Sequence, residues 1–215
     1  MSINLQKGQK IDLTKGGKQG EEGLTRLLVG LGWDEAQQSN RGGLFGIFGR
    51  KPQDIDCDAS VILLNSKDKL YGGAAVIEKS CVYFDNTSVY GGTIRHMGDN
   101  LTGGSMGNGK SDSEQITVNL KGVPSDLAKM VFVVNIYDAA ARGQHFGLIR
   151  NAYIRIVDST TNTEICRYNL SENYDGMTGM IVGEIYRENR SWKFNAIGKP
   201  VKDASRLGNL VRLYA

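Results

Sequence analysis

The stretch NAYIRIV at residues 151–157 decides the fold class, because apolar side chains alternate along it. In an extended chain successive side chains point to opposite faces, so Ala152, Ile154 and Ile156 share one face and the intervening residues share the other. A strand of this kind buries one face against a second layer and leaves the other in water. The stretch therefore predicts one strand of a layered β-protein.

Outward from this stretch, further runs rich in Val, Ile, Tyr and Phe are separated by Gly, Asn, Asp and Ser, which is typical of strands and turns. These runs are residues 24–33, 59–64, 115–120, 130–137, 164–170, 180–187 and 191–198. Strands at this spacing predict an all-β fold, an antiparallel β-sandwich of two sheets with a few short helices. A two-turn helix is expected at residues 123–130, and residues 206–214 predict either a short helix or a last strand.

The amino-acid composition limits the possible fold classes and partners. The chain has 28 glycines among 215 residues, well above the average share of roughly 7%, which disfavours long helices. Its net charge is +3, with 26 basic and 23 acidic residues, so no nucleic-acid partner is expected. We expect a single domain over residues 1–215, with an inserted loop at residues 35–53.

The cysteines and the first residues indicate the compartment. Cys57, Cys81 and Cys166 are far apart and form no CxxC pair, so neither a disulfide framework nor a zinc site is predicted. The opening MSINLQKGQKIDL lacks the apolar segment of a signal peptide, and no run approaches the ~18 apolar residues of a spanning helix. We expect a cytoplasmic protein.

Residues 104–111, GSMGNGKS, match the P-loop pattern GxxxxGK[ST] and raise the alternative of a nucleotide-binding protein. A P-loop joins a buried strand to the N-terminus of a helix, which holds the phosphates. Here the upstream sequence is polar, and the downstream DSEQITVNL alternates like a strand. Lys110 would therefore have no helix beside it, and the match is interpreted as a product of high glycine content.

Three carboxylates stand together in DIDCDAS, residues 54–60. In an extended backbone Asp54, Asp56 and Asp58 share one side, and their mutual repulsion favours a cation such as Ca²⁺. The alternative is structural, with Asp58 capping a turn and Asp56 pairing with a basic residue of the inserted loop, Arg41 or Arg50. An EF-hand is excluded, because Ala59 and Asn65 occupy the positions of its Gly and Glu.

A second stretch, residues 96–114, is rich in oxygen ligands and glycine. Its candidate ligands are Asp99, Asn100, Asn108, Asp112 and Glu114. If this stretch meets residues 54–58 at one end of the sandwich, the two supply the six to eight oxygens that Ca²⁺ takes, for one ion or two. The alternative is a polar loop without a ligand.

These motifs make the chain resemble the TerD family of tellurium-resistance and general stress proteins. The similarity runs over nearly the whole chain. It includes INLQKGQKIDLTK, VGLGWD, DIDCDAS, GDNLTG, DSEQI, GQHFGLIRNAYIRIVD, EICRYNL and EIYRENRSWKFNAIG. The resemblance implies a Ca²⁺-binding β-sandwich. By motif position it implies the metal ligands Asp54, Asp56, Asp58, Asp99, Asn100, Asp112 and Glu114.

The second stretch departs from the family. The acidic run GDGDDE is replaced here by GNGKSDSE, with Asn108, Lys110 and Ser111 at positions where acids are expected. Because ligand charge controls affinity, this change predicts weaker Ca²⁺ binding or the loss of one of two ions.

The inserted loop presents Leu44, Phe45, Ile47 and Phe48 before two basic residues. These side chains either fold back over a sheet edge or contact a membrane surface or a partner protein, which leaves a Ca²⁺-dependent membrane adaptor as a second alternative.

Neither of the two histidines, His96 and His145, stands in a catalytic spacing. We therefore expect a binding or scaffolding protein with protein partners, and no enzyme.

Overall fold

The computed structural model describes residues 2–14, 23–35, 54–73, 77–98, 112–189 and 191–215. Residues 36–53, which carry most of the inserted loop with Leu44, Phe45, Ile47 and Phe48, lie outside the described residues. So do residues 99–111, which include Asp99, Asn100 and the whole P-loop-like sequence.

Two sheets form the body of the protein, as the alternating runs predict. The strands are β1 (Ile3–Leu5), β2 (Lys10–Asp12), β3 (Arg26–Glu35), β4 (Cys57–Leu64), β5 (Cys81–Val82), β6 (Ser88–Val89), β7 (Ile94–His96), β8 (Glu114–Asn119), β9 (Lys129–Ile136), β10 (Ile149–Asp158), β11 (Thr163–Asn169), β12 (Gly179–Glu188) and β13 (Ser191–Val201). The short helices are α1 (Ile77–Ser80), α2 (Ala139–Arg142) and α3 (Leu207–Val211). Single 3-10 turns lie at Tyr90–Gly92, Leu120–Gly122, Phe146–Leu148 and Arg212–Tyr214.

The seven-stranded sheet has the order β1-β11-β10-β3-β8-β7-β6, and the six-stranded sheet has the order β2-β13-β12-β9-β4-β5. Neighbouring strands are antiparallel, except that β1 runs parallel to β11. In the six-stranded sheet, Asp58 of β4 stands opposite Asn135 of β9. This pairing places the acidic segment at the end of two central strands.

The main core lies between the two sheets. From the seven-stranded sheet it contains Val29, Ile154 and Ile156, and from the other sheet Val61 and Phe132. The predicted division of β10 is confirmed, because Ile154 and Ile156 face the core while the intervening residues face outward. Burial of these apolar side chains is the main stabilising contribution to the sandwich.

A second apolar cluster covers the outer face of the six-stranded sheet. Ile62, Val131 and Val133 of that face pack against Leu210 and Val211 of α3. The C-terminal stretch is therefore a short helix rather than a last strand. This helix turns part of the outer face into a buried layer.

The helix predicted at residues 123–130 is wrong. The structure has a 3-10 turn at Leu120–Gly122, a turn in which Leu127 N donates to Pro124 O at 3.2 Å, and then β9 from Lys129. Strand β9 pairs with a strand on each side, so its backbone N–H and C=O groups have hydrogen-bond partners. The stabilisation from this pairing outweighs the local helix propensity of these residues.

Strand β8 begins at Glu114, three residues after the end of the P-loop-like sequence. A P-loop requires a helix at this place, so the structure removes the basis for the nucleotide-binding alternative. Separately, no helix in the described part of the chain is long and apolar enough to cross a membrane.

We predict that Gly183→Ala destabilises the protein by about 1–3 kcal/mol, the usual range for overpacking a core. A Cβ at Gly183 would lie 2.8 Å from ring carbons of Phe194 and 3.0 Å from the Asn195 carbonyl oxygen. Urea denaturation followed by circular dichroism measures the change. The control is Gly208→Ala in α3, where a Cβ meets open space and stability is expected to stay equal or rise slightly. Equal midpoints for both variants would contradict this account of the packing.

Candidate functional site

The acidic segment, residues 54–60, continues into β4, and every second side chain along it lies in the core. Ile55, Cys57 and Ala59 belong to the main cluster. The residues between them therefore point away from the space between the sheets. Asp54 is exposed, Asp56 is half-buried and Asp58 is buried. The predicted alternation of the segment is present, although the three carboxylates have different surroundings.

Asp56 has one carboxylate oxygen beside a cation and one without a partner. Its Oδ2 lies 3.5 Å from Nη1 of Arg142, whose guanidinium is stacked over the Tyr137 ring at 5.3 Å from the centroid. Its Oδ1 is buried and has no hydrogen-bond partner among the described residues. The expected pairing with Arg41 or Arg50 falls outside the described residues, and the observed basic neighbour is Arg142.

Asp58 faces the outer side of the six-stranded sheet. Its Oδ2 accepts a hydrogen bond of 3.1 Å from Nδ2 of Asn135, its cross-strand neighbour. Both residues are buried. This contact was not predicted, because sequence alone does not say which strands are neighbours.

Asp112 is held by donors from the outer face of the seven-stranded sheet. Nε and Nη2 of Arg155 donate to its two oxygens at 2.7 and 2.9 Å, a bidentate arrangement. The Tyr153 hydroxyl donates at 3.0 Å and Nε2 of Gln115 donates at 2.9 Å. Gly30 leaves room for this carboxylate, since a Cβ there would overlap it.

The contacts with Asp112 change the pKa values of Arg155 and Tyr153, which donate hydrogen bonds to it. Hydrogen bonding to Asp112 raises the pKa of Arg155 above its ordinary value. Burial, together with the charge of Asp112 and its hydrogen bond, raises the pKa of Tyr153 to about 12. Both donors therefore keep their protons at neutral pH. The carboxylate of Asp112 already accepts four hydrogen bonds, about as many as it has lone-pair sites, so its predicted role as a metal ligand gains no support.

Glu114 points between the two sheets and joins them. Its Oε2 accepts from Ala59 N at 2.8 Å and lies 3.0 Å from Nε2 of His96, deep in the protein. Gly98 N donates to Nδ1 of the same imidazole at 3.2 Å. Because Nδ1 is the acceptor, the proton is on Nε2, which donates to Glu114. The second oxygen-rich stretch therefore contacts the first in the interior, at the backbone N–H of Ala59, and not through the carboxylates of residues 54–58.

The described carboxylates nevertheless do not form one cluster. Asp112 lies on the outer face of one sheet, Glu114 lies between the sheets, and Asp58 lies on the outer face of the other. Within the described ranges, no three His, Cys, Asp or Glu side chains are close enough to hold a metal ion. Asp99 and Asn100 belong to the segment outside those ranges.

The thiols are buried. No disulfide links the three cysteines, all of which are buried, and burial raises the pKa of Cys81 and of Cys166 to about 12. A thiol with such a pKa carries almost no thiolate at neutral pH, so these two are poor nucleophiles and poor reductants.

Three residues that contact the predicted acids were not indicated by the sequence: Arg142, Asn135 and Arg155. Arg155 was visible as a charged residue on the outer face of its strand. Nothing in the sequence pairs it with Asp112, which is 43 positions away.

Comparison with known proteins gives a consistent result. The model of the TerD domain matches residues 1–214. The chain is 45% identical over 215 residues to "Stress response protein SCP2" of Bacillus subtilis (strain 168), with 100% of each chain covered. It is 38% identical to "Tellurium resistance protein TerD" of Serratia marcescens, over 93% of this chain and 91% of that protein.

A solved structure shares the fold. The crystal structure of a homologue of telluride resistance protein (TerD) from Streptomyces coelicolor A3(2) superposes with a TM-score of 0.57. The match covers 84% of this chain and 92% of that chain, at 19% identity. At this identity the similarity concerns the sandwich alone.

We predict that Asp112→Asn lowers the free energy of unfolding by about 2–4 kcal/mol, because Arg155 loses its charged partner and an amide donor faces its N–H groups. Thermal and urea denaturation measure the loss. The control is Asp175→Asn, where the side chain is 71% exposed and the change should stay within about 0.5 kcal/mol. A loss for Asp112→Asn no larger than for this control would show that the Arg155 network contributes little.

Proposed function

This chain belongs to the TerD family of tellurium-resistance and general stress proteins, and we propose that it is a Ca²⁺-binding stress-response protein that acts as a binding module. Calcium gives the acidic segment the cation that its carboxylates require. The protein then acts through protein partners rather than through a reaction of its own. The names of its relatives, a stress response protein and a tellurium resistance protein, support this class of role.

The single observation that carries the proposal is the buried Oδ1 of Asp56, which has no hydrogen-bond partner among the described residues. A buried carboxylate oxygen without a partner is energetically expensive, and a hard cation is a natural partner for it. The exposed carboxylate of Asp54, two residues before it, can contribute a second charged ligand. The chemistry of these donors fits Ca²⁺.

The ligand set that we propose is smaller than the one implied by the family resemblance. Asp54 and Asp56 contribute from the first segment, and Asp99 and Asn100 are the proposed ligands from the second. Asp58, Asp112 and Glu114 are excluded, because each is engaged with other protein groups in the structure. We therefore propose one ion, with backbone carbonyls and water completing its shell.

Two features favour a binding role over catalysis. His96 is buried between Glu114 and Gly98 N, which gives it a structural role. The buried thiols of Cys81 and Cys166 have strongly raised pKa values and are unsuited to reducing an oxyanion such as tellurite.

We predict that calorimetric titration with CaCl₂ gives a saturable heat for the wild-type chain and none for Asp56→Asn. This substitution removes the charge of the carboxylate whose Oδ1 has no hydrogen-bond partner among the described residues. The matched controls are Asp175→Asn and Asp112→Asn, both expected to keep the wild-type heat, the second with a lower thermal midpoint. Bound Ca²⁺ should also stabilise the wild-type fold, by about 2.7 kcal/mol at a free concentration of 100 times the Kd. An unchanged heat in Asp56→Asn would refute the site.

A second prediction concerns Arg142, whose Nη1 lies 3.5 Å from Oδ2 of Asp56. The like charge of this guanidinium opposes a cation on the same carboxylate. Arg142→Gln should therefore tighten Ca²⁺ binding about two- to fivefold, the size of a partly exposed charge interaction. The control Arg167→Gln changes an arginine that is stacked over Tyr153 on the other sheet and should leave the Kd unchanged. Weaker binding in Arg142→Gln would place the ion away from Asp56.

A further inference from the structure

A pocket of about 240 Å³ lies on the outer face of the six-stranded sheet, apart from the proposed Ca²⁺ ligands. It is enclosed by the start of β4, the end of β9, the residues after β5 and the start of α3. Its polar base consists of the strand residues Asp58, Ser60 and Asn135. Its aromatic rim consists of Tyr83, Phe84 and Tyr137.

Two polar atoms of the base are buried without a partner. Ser60 and Asn135 are each 1% exposed. Oγ of Ser60 and Oδ1 of Asn135 have no hydrogen-bond partner in the described part of the chain. Buried polar atoms are rarely left unpaired, because the loss of their hydration is then not compensated. Two such atoms in the lining of one pocket indicate a ligand group that forms hydrogen bonds with both.

The sheet register brings these two side chains together. Ser60 stands opposite Val133, and Asn135 is two residues further along β9. Residues in this diagonal relation have their side chains on the same face of the sheet, about 7–8 Å apart. One small polar group between them can therefore contact both side chains.

The unpaired atoms define the polar group of the ligand. Nδ2 of Asn135 donates to Oδ2 of Asp58 at 3.1 Å, which leaves the amide oxygen to accept a hydrogen bond. The hydroxyl of Ser60 can donate as well as accept. A hydroxyl on the ligand satisfies both residues at once, because it donates to Oδ1 of Asn135 and accepts from Oγ of Ser60.

Recognition of this kind needs no charge on the ligand. The two charged side chains that line the pocket, Asp58 and Arg206, are both engaged within the protein. Asp58 accepts from Asn135 and has a further interaction in the protein. Nη2 of Arg206 donates to Oδ1 of Asp138 at 3.0 Å. The polar end of the ligand is therefore neutral.

The aromatic rim determines the rest of the ligand. Phe84 is 49% exposed and Tyr137 is 37% exposed, although both are large aromatic side chains. Tyr83 packs edge-on against Phe84, with ring centroids 5.6 Å apart. Leu207 of α3 adds an apolar side chain to the lining. Such a surface favours an apolar body, and above all an aromatic ring that can pack against these rings.

We propose that this pocket binds a small neutral aromatic compound that carries a hydroxyl group. The hydroxyl lies at the polar base between Ser60 and Asn135, and the ring lies against the aromatic rim. The pocket volume is slightly below the ~300–1,000 Å³ typical of drug-sized ligands, so the ligand is a small molecule. No bond is made or broken in this role.

The test uses three probes of similar size with the full chain: 2-phenylethanol, its methyl ether and 2-phenylethylamine. Titrations are followed by protein-observed NMR in EGTA, so the result is independent of the proposed Ca²⁺ site. The alcohol should bind and shift the backbone amide signals of Ser60 and Asn135. The ether should bind at least about tenfold more weakly, because it cannot donate to Asn135. The amine should also bind more weakly than the alcohol, because its charge loses hydration in the pocket.

Variants separate recognition from structural support. Ser60→Ala removes a hydroxyl that has no hydrogen-bond partner in the described residues, so it should weaken alcohol binding about three- to tenfold and leave the unfolding midpoint equal or higher. Phe84→Ala removes a ring of the rim and should weaken binding about two- to fivefold. The matched control is Tyr90→Ala, an exposed aromatic residue outside the pocket lining, which should keep the wild-type affinity.

Four results would overturn the proposal. The first is that the alcohol does not bind. The second is that the ether binds as tightly as the alcohol, which would mean that the two buried atoms bind water only. The third is that the amine binds more tightly than the alcohol, which would assign recognition to a charge. The fourth is that Ser60→Ala keeps the wild-type affinity.

Discussion

The alternation of side chains along β4 is the constraint on which the rest of the structure depends. Burial of Cys57, Ala59 and Val61 between the sheets is favourable, and it commits their neighbours to the opposite side. Asp58 and Ser60 must then lie on the outer face, part of which is an apolar cluster that packs against α3. The Asp56 carboxylate is likewise held away from the core, beside Arg142. The direction of the proposed Ca²⁺ ligand Asp56 therefore follows from the alternation of this one strand.

The acidic residues illustrate how position decides the role of one chemical group. Asp112 accepts two hydrogen bonds from Arg155 and two from other donors, which makes it a structural anchor of the seven-stranded sheet. Glu114 meets Ala59 N and His96, and so connects the two sheets in the interior. Asp56 alone of the carboxylates considered keeps a buried oxygen without a partner in the described residues. Of the acids that the family resemblance implies as metal ligands, Asp112 and Glu114 therefore have structural roles here, and Asp56 remains a proposed ligand.

The sequence predicts a strand correctly where the strand is long enough for its alternation of side chains to be visible. Every strand predicted from an alternating or apolar run is present, because several residues in alternation outweigh local exceptions. The strands that escaped prediction, such as β5 and β6, have two residues each, too few to show any period. The helix expected after Pro124 failed for another reason: the pairing of β9 with both neighbours is worth more than helix propensity over two turns.

The sequence by itself determined the fold class, the family and the segments that carry the acids, because these depend on periodicity and on motifs of adjacent residues. Only the tertiary structure decided the partner of each acid. Arg155 lies 43 positions from Asp112, and Asn135 lies 77 positions from Asp58. Such pairs depend on which strands become neighbours and in what register, and that depends on the packing of the whole sandwich rather than on any local stretch.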